Sequence, residues 1–142
     1  MEYSIKKQVT DLANRVGTYD PAELCRRIGI VTAKCELPDN TRGFCITLKS
    51  GSAIMVNRNL NANQEKTCIA HELGHLVLHR NMNYMFLSQN TLMVTGKYER
   101  EANIFAAHLL LGQVTDREGY TVQQLSKKLN LPEYAVEEAV KG

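Results

Sequence analysis

The sequence predicts an α+β fold, in which a small, mainly antiparallel sheet packs against helices. Three observations predict it. Apolar residues recur at helical spacing near both ends of the chain; a stretch after Gly29 is rich in β-formers and broken by turn residues; and two long apolar segments bearing His and Glu follow that stretch. With 142 residues, 44% of them hydrophobic and 23% charged, the chain has the make-up of one globular domain spanning residues 1–142.

From Ser4 to Val16 the positions Ile5, Val9, Leu12, Ala13 and Val16 follow a helical period, and Gly17 ends the segment. Asp20-Pro21 supplies an N-cap followed by Pro at the first helical position, opening a short helix that stops at Gly29. Ile30 to Cys35 reads as a strand ending at the turn Pro38-Asp39-Asn40. Gly43–Leu48 and Ser52–Val56 form a hairpin across Lys49-Ser50-Gly51. Asn63 then caps a helix running from about Gln64 to His79. A loop, Arg80 to Thr95, separates it from a second long helix, Lys97 to Leu111. In the tail, from about residue 112 to 142, Thr121 and Gln124 fit a capping box, and Pro132 fits the first turn of a last helix. This pair superficially resembles a helix-turn-helix. Without a basic face, packing or contact with a partner is its expected role.

Charge and composition narrow the function. The 17 basic and 15 acidic residues are interspersed, giving a formal net charge of +2, so no basic stripe marks a nucleic-acid binder. No apolar run suits a signal peptide or a membrane span, so a cytoplasmic protein without membrane contact is expected. Cys25, Cys35, Cys45 and Cys68 include no Cys-x-x-Cys pair and read mostly as buried thiols in a reducing compartment. Cys68, one turn before His71, is near enough to approach a metal there, although filling space is its expected role.

The chemistry is concentrated in His71-Glu72-Leu73-Gly74-His75. On a helix, positions i and i+4 project from nearly one face, so His71 and His75 can grip one ion, and neutral imidazoles suit Zn²⁺. Glu72, about 100° around the helix from His71, is displaced from the ligand face yet close enough to take a proton from water activated at the metal. Chance could place such a string on a surface helix. The apolar flanks Cys68-Ile69-Ala70 and Leu76-Val77-Leu78 and the carboxylates of the next helix argue against that.

In that next helix Glu99 and Asn103 are an i, i+4 pair, and Asn103 shares a broad face with Ala102, Ala106 and Leu110, which should pack on the metal helix. Glu99 is the expected third ligand and Asn103 a residue that hydrogen-bonds a ligand from behind. Glu101 is the alternative ligand, with a solvent-facing position favoured by its angular offset. His79, one turn beyond His75, is expected to interact with the terminal carbonyls of its helix. His108 is turned away from the site. Tyr84 and Tyr98 could each donate to the oxyanion of a tetrahedral intermediate, or simply pack.

The segments Ala70 to His79 and Glu99 to Leu111 together resemble the ImmA/IrrE family of zinc metallopeptidases, and the leading helices and hairpin fit the same plan from Tyr3 onward. The resemblance implies a compact zincin-like fold of the gluzincin kind, with His71, His75 and Glu99 on Zn²⁺ and Glu72 as catalytic base. It implies a zinc-dependent endopeptidase making site-limited cuts in a protein partner, a helix-turn-helix transcriptional repressor of a mobile element or stress response. The chain departs from the family after the second helix, where Leu111-Gly112-Gln113 replaces a Pro turn. The competing reading is a zinc-binding regulatory module that acts on its partner by contact without cutting. A third is an accessory protein whose tail recruits a partner before any proteolysis.

Overall fold

The structure is a computed structural model and describes residues 2–79, 92–114 and 117–141. Helix α1 (Glu2–Val16) buries Ile5, Val9, Leu12 and Ala13, the stripe that its periodicity marks. It ends where the Gly17 N–H donates to the Ala13 carbonyl at 2.7 Å. Helix α2 (Pro21–Arg27) starts at Asp20, whose Oδ2 accepts from the Glu23 N–H at 2.9 Å. That bond satisfies one of the donors a helix start leaves open.

The three strands β1 (Val31–Cys35), β2 (Gly43–Leu48) and β3 (Gly51–Asn57) form a sheet of order β1-β3-β2. The β2–β3 hairpin is antiparallel, with Cys45 opposite Ile54. β1 instead runs parallel to β3, Val31 opposite Ala53, so the sheet is mixed where a mainly antiparallel one was expected. The cause is the crossing segment 36–42. It carries the chain past the place of a neighbouring strand, and β3 then fills the gap.

Buried Asn57 fixes that crossing. Its Nδ2 lies 2.9 Å from the Thr41 carbonyl, 3.2 Å from that of Pro38 and 3.3 Å from that of Leu37, and its backbone N–H donates to Arg42 at 2.7 Å. A buried amide has to find such partners. The consequence is a firmly held run from Asn40 to Gly43 beside the functional cleft.

Helix α3 (Ala62–Leu78) is capped by Asn61 rather than by Asn63. Asn61 Oδ1 accepts from the Gln64 N–H at 2.9 Å, and the Gln64 side chain accepts from the Asn61 N–H at 3.0 Å. Asn63 has Lys66 three positions on, a donor that cannot return such a bond. Helix α4 (Leu92–Leu111) begins before the predicted Lys97, since the apolar run 92–94 continues the helix through Gly96. Glycine costs a helix interior only about 1 kcal/mol. Of the predicted loop Arg80 to Thr95, residues 80–91 lie outside the described residues.

α3 and α4 pack against each other, and α3 also covers β2 and β3. Leu73 and Phe105 are fully buried, and Phe105 packs against α3 at Gly74. The approach of the two helices is set by Gly74: a Cβ there would sit 3.0 Å from Phe105 Cβ and 3.2 Å from Ala102 Cα. Gly74→Ala is therefore expected to overpack this seam and destabilise the chain by about 1–3 kcal/mol, seen as a lower midpoint in urea with an unchanged slope. Gly112 stands where the chain departs from the family's Pro turn. A Cβ there would meet the Tyr19 ring at 2.2 Å, so close packing demands the glycine.

The tail contributes α5 (Val122–Leu129), with the predicted Thr121–Gln124 capping box, and α6 (Glu133–Lys141), directly after Pro132. The Thr67 hydroxyl of α3 donates to the Leu129 carbonyl at 2.5 Å, and α6 packs on α4. Among the described residues no helix is long and apolar enough to cross a membrane.

Candidate metal centre

One turn of α3 separates His71 and His75, whose rings meet edge to face at 4.9 Å between centroids. From α4, Glu99 reaches across the seam. Its Oε2 lies 2.6 Å from His71 Nε2 and its Oε1 3.2 Å from His75 Nε2. One ligand-capable atom from each of the three lies within 4.8 Å of the others, so this group could hold a metal ion. Two imidazole nitrogens and a carboxylate are a donor set that suits a borderline divalent cation.

The far side of each imidazole bears on that fit. His71 Nδ1 lies 2.7 Å from Asn103 Oδ1, an acceptor, so its proton belongs on Nδ1 and Nε2 turns inward as the ligand atom. Asn103 is itself oriented from the tail, its Nδ2 donating to the Tyr134 hydroxyl at 2.8 Å, while the Arg100 guanidinium stacks 4.5 Å from the centre of the Tyr134 ring. Sequence periodicity placed Asn103 on this face. Tyr134, 31 positions away, carried no local signal.

Two residues stand elsewhere than expected. Glu101 is buried, not solvent-facing, and its Oε1 lies 2.8 Å from His79 Nε2. α4 is enclosed on more than one side, packing on α1 and α6 as well as on α3, with Ile104 and Leu109 buried as well as Ala102 and Ala106, so an angular offset from Glu99 does not mean exposure. His79 does stand at the helix end, as the C-cap of α3 with its backbone N–H donating to the His75 carbonyl, and its ring also engages Glu101 and His75. Tyr98 packs on that ring at 4.5 Å between centroids. Tyr84 lies outside the described residues, and His108 is not part of the metal-capable group.

Glu72 is buried beside the cluster, its Oε2 4.0 Å from His71 Nε2. Cys45 of β2 faces it: burial pushes the Cys45 thiol well above its ordinary range, and the Glu72 charge and a hydrogen bond to Glu72 push it further. The thiol therefore stays protonated beside the carboxylate. Burial likewise pushes Cys68 up to about 12; it packs under Gly43 and stands apart from the metal-capable group.

The electrostatics of the cluster are those of a proton held between ligands. Burial disfavours the His71 cation, but the Glu99 hydrogen bond and the Glu72 and Glu99 charges outweigh it and raise its pKa. Burial would raise Glu99, and the hydrogen bonds and charges of His71 and His75 reverse that, holding it well below the usual carboxylate range. An arriving cation must displace the His71 proton. Its affinity is therefore expected to fall as pH drops through the raised His71 value, which lies above the ordinary histidine value of about 6.5, with proton release per ion growing as the pH falls. Calorimetry in buffers of different ionisation enthalpy reads this directly.

The cluster opens into a cleft of about 590 Å³ whose wall includes Arg42, Gly43, His71, Glu72, Glu99 and Asn103. A fold in which a His-Glu-x-x-His helix packs on a glutamate helix and a small sheet, with the acid and both imidazoles facing one cleft, defines a metallopeptidase class. Residues 25–136 match the peptidase family described as the IrrE N-terminal-like domain, and the chain belongs to that family. It is 38% identical over 107 residues to "Uncharacterized immunity region protein 2" of Bacillus phage phi105, covering 75% of this chain and 68% of that protein. It is 26% identical over 142 residues to "Metallopeptidase ImmA" of Bacillus subtilis (strain 168), covering 94% of this chain and 82% of that one.

Proposed function

We propose that this chain is a zinc-dependent endopeptidase that makes site-limited cuts in a protein partner, a helix-turn-helix transcriptional repressor. His71, His75 and Glu99 are the metal ligands, Glu72 is the catalytic base, and Asn103 holds His71 from behind. The observation that carries this is the meeting of His71, His75 and Glu99 from two helices beside a buried Glu72. Zn²⁺ bound there supplies a Lewis acid that makes water nucleophilic near neutral pH.

The protein's own groups do the rest. Glu72 takes the proton from the attacking water and delivers it to the leaving amine. Gly43 and Arg42, held in place by Asn57, border the cleft at the start of β2, one of the two edge strands among the described residues, so an extended peptide can pair there. Residues 112–142 belong to the same catalytic unit in this reading, because Tyr134 reaches Asn103 behind the site.

The repressor as substrate follows from the family resemblance, and the words "immunity region" in the phage relative's name agree with it. The test is incubation of the Zn²⁺-loaded chain with helix-turn-helix repressors from its own genome, any encoded nearby first, products being read by intact-mass spectrometry. One or two defined fragments are expected. Tight complex formation with no fragments would favour the regulatory module that acts by contact.

A further inference from the structure

We propose that His79 and Glu101 are positioning residues that together fix which ring nitrogen of His75 faces the metal. The proposal rests on the metallopeptidase reading above and adds to it a pair of residues that neither ligates nor touches substrate.

With His75 Nε2 as the ligand atom, these contacts fit together in one arrangement of protons. His75 Nε2 faces Glu99 at 3.2 Å, while its Nδ1 lies 3.1 Å from Nδ1 of His79. Two ring nitrogens at that distance can hydrogen-bond only if one carries a proton and the other a lone pair. When His75 Nε2 is the ligand atom, its proton is on Nδ1, so His79 Nδ1 must accept. The His79 proton then has to be on Nε2. There Glu101 Oε1 waits at 2.8 Å, and an ionised carboxylate can only accept. The opposite order would set an unprotonated His79 Nε2 against that carboxylate, lone pair against lone pair.

Burial makes the arrangement more than incidental. His79 is 5% exposed and Glu101 9%. A carboxylate taken that far from water is costly unless its partner is well placed. Tyr98 closes on the His79 ring from the side at 4.5 Å, holding its plane. α4 thus backs both imidazoles of α3. Asn103 does so directly at His71, and Glu101 does so at His75 through His79. A carboxylate behind an imidazole also makes the ligand more basic and holds it in one orientation, the usual work of a metal site's outer partners.

The test is Zn²⁺ affinity of the full chain, measured by competition with a chromophoric chelator, for wild type, His79→Leu and His79→Asn. His79→Leu is expected to weaken binding by about 10–100-fold, the usual effect of losing an outer partner. His79→Asn, whose Oδ1 can accept from His75 Nδ1, is expected to keep most of the affinity. A role in packing alone would lower the melting temperature of the metal-free variants and leave the affinity of the folded chain unchanged; equal affinity of wild type and His79→Leu overturns the proposal. Should His79→Leu fail to fold, long-range ¹H–¹⁵N NMR of the Zn²⁺-loaded wild type decides. His79 protonated on Nε2 supports the proposal, and His79 protonated on Nδ1 overturns it. A wild-type chain that binds no Zn²⁺ would overturn the metallopeptidase reading itself, and this proposal with it.

Discussion

Replacing Glu72 by Gln is expected to leave metal binding intact and to lower peptide cleavage by roughly 10²–10⁴-fold, the range general base catalysis contributes. Gln has the shape of Glu but cannot accept a proton at ordinary pH. Glu72 is buried, so the neutral amide removes a charge from a poorly solvated position, and folding should not suffer. The Glu72 charge is also one cause of the raised His71 pKa. The pair of measurements, metal content by elemental analysis and fragment yield from the protein substrate, separates this outcome from unfolding. Equal cleavage by both forms would remove Glu72 from the mechanism.

How much of this site could be read from the sequence depends on the range over which each part is encoded. The one-turn spacing of His71 and His75, and of Glu99 and Asn103, are local properties of two helices, and the structure places these residues on facing sides of α3 and α4. Ala102, Ala106 and Leu110 correctly indicated which face of α4 is buried. They gave no hint that other faces are buried too, and so Glu101 was expected in solvent. The partnership of Glu101 with His79 is a contact across 22 positions, invisible to any rule of helical spacing. Asn57 shows the same limit. It lies just past the predicted strand Ser52–Val56 and carries no signal of its own, yet its amide fixes the crossing loop that also decides the parallel pairing of β1. Turn residues mark where a chain reverses, not which place in the sheet it returns to.

Glu99→Gln is expected to weaken Zn²⁺ binding well beyond the ~10–100-fold that loss of an outer partner costs. Glu99 is the acidic member of the metal-capable group and contacts both imidazoles, at 2.6 Å and 3.2 Å. An amide oxygen is a poorer donor to a hard or borderline cation, and the charge that offsets two positive charges is gone. The side chain is 45% exposed, so the fold should survive the change. Chelator competition on Glu99→Gln and Glu101→Gln, run side by side, decides between the two carboxylates. If only the Glu101 change strips the metal, the assignment of the third ligand is inverted. Acid stability of the metal-free chain gives an independent check. A carboxyl held below its ordinary pKa contributes stability that is present above about pH 4.3 and is lost as pH falls through the lower folded value. Glu99→Gln has no such contribution to lose, so its unfolding free energy should depend less on pH below about 4.3 than that of the wild type.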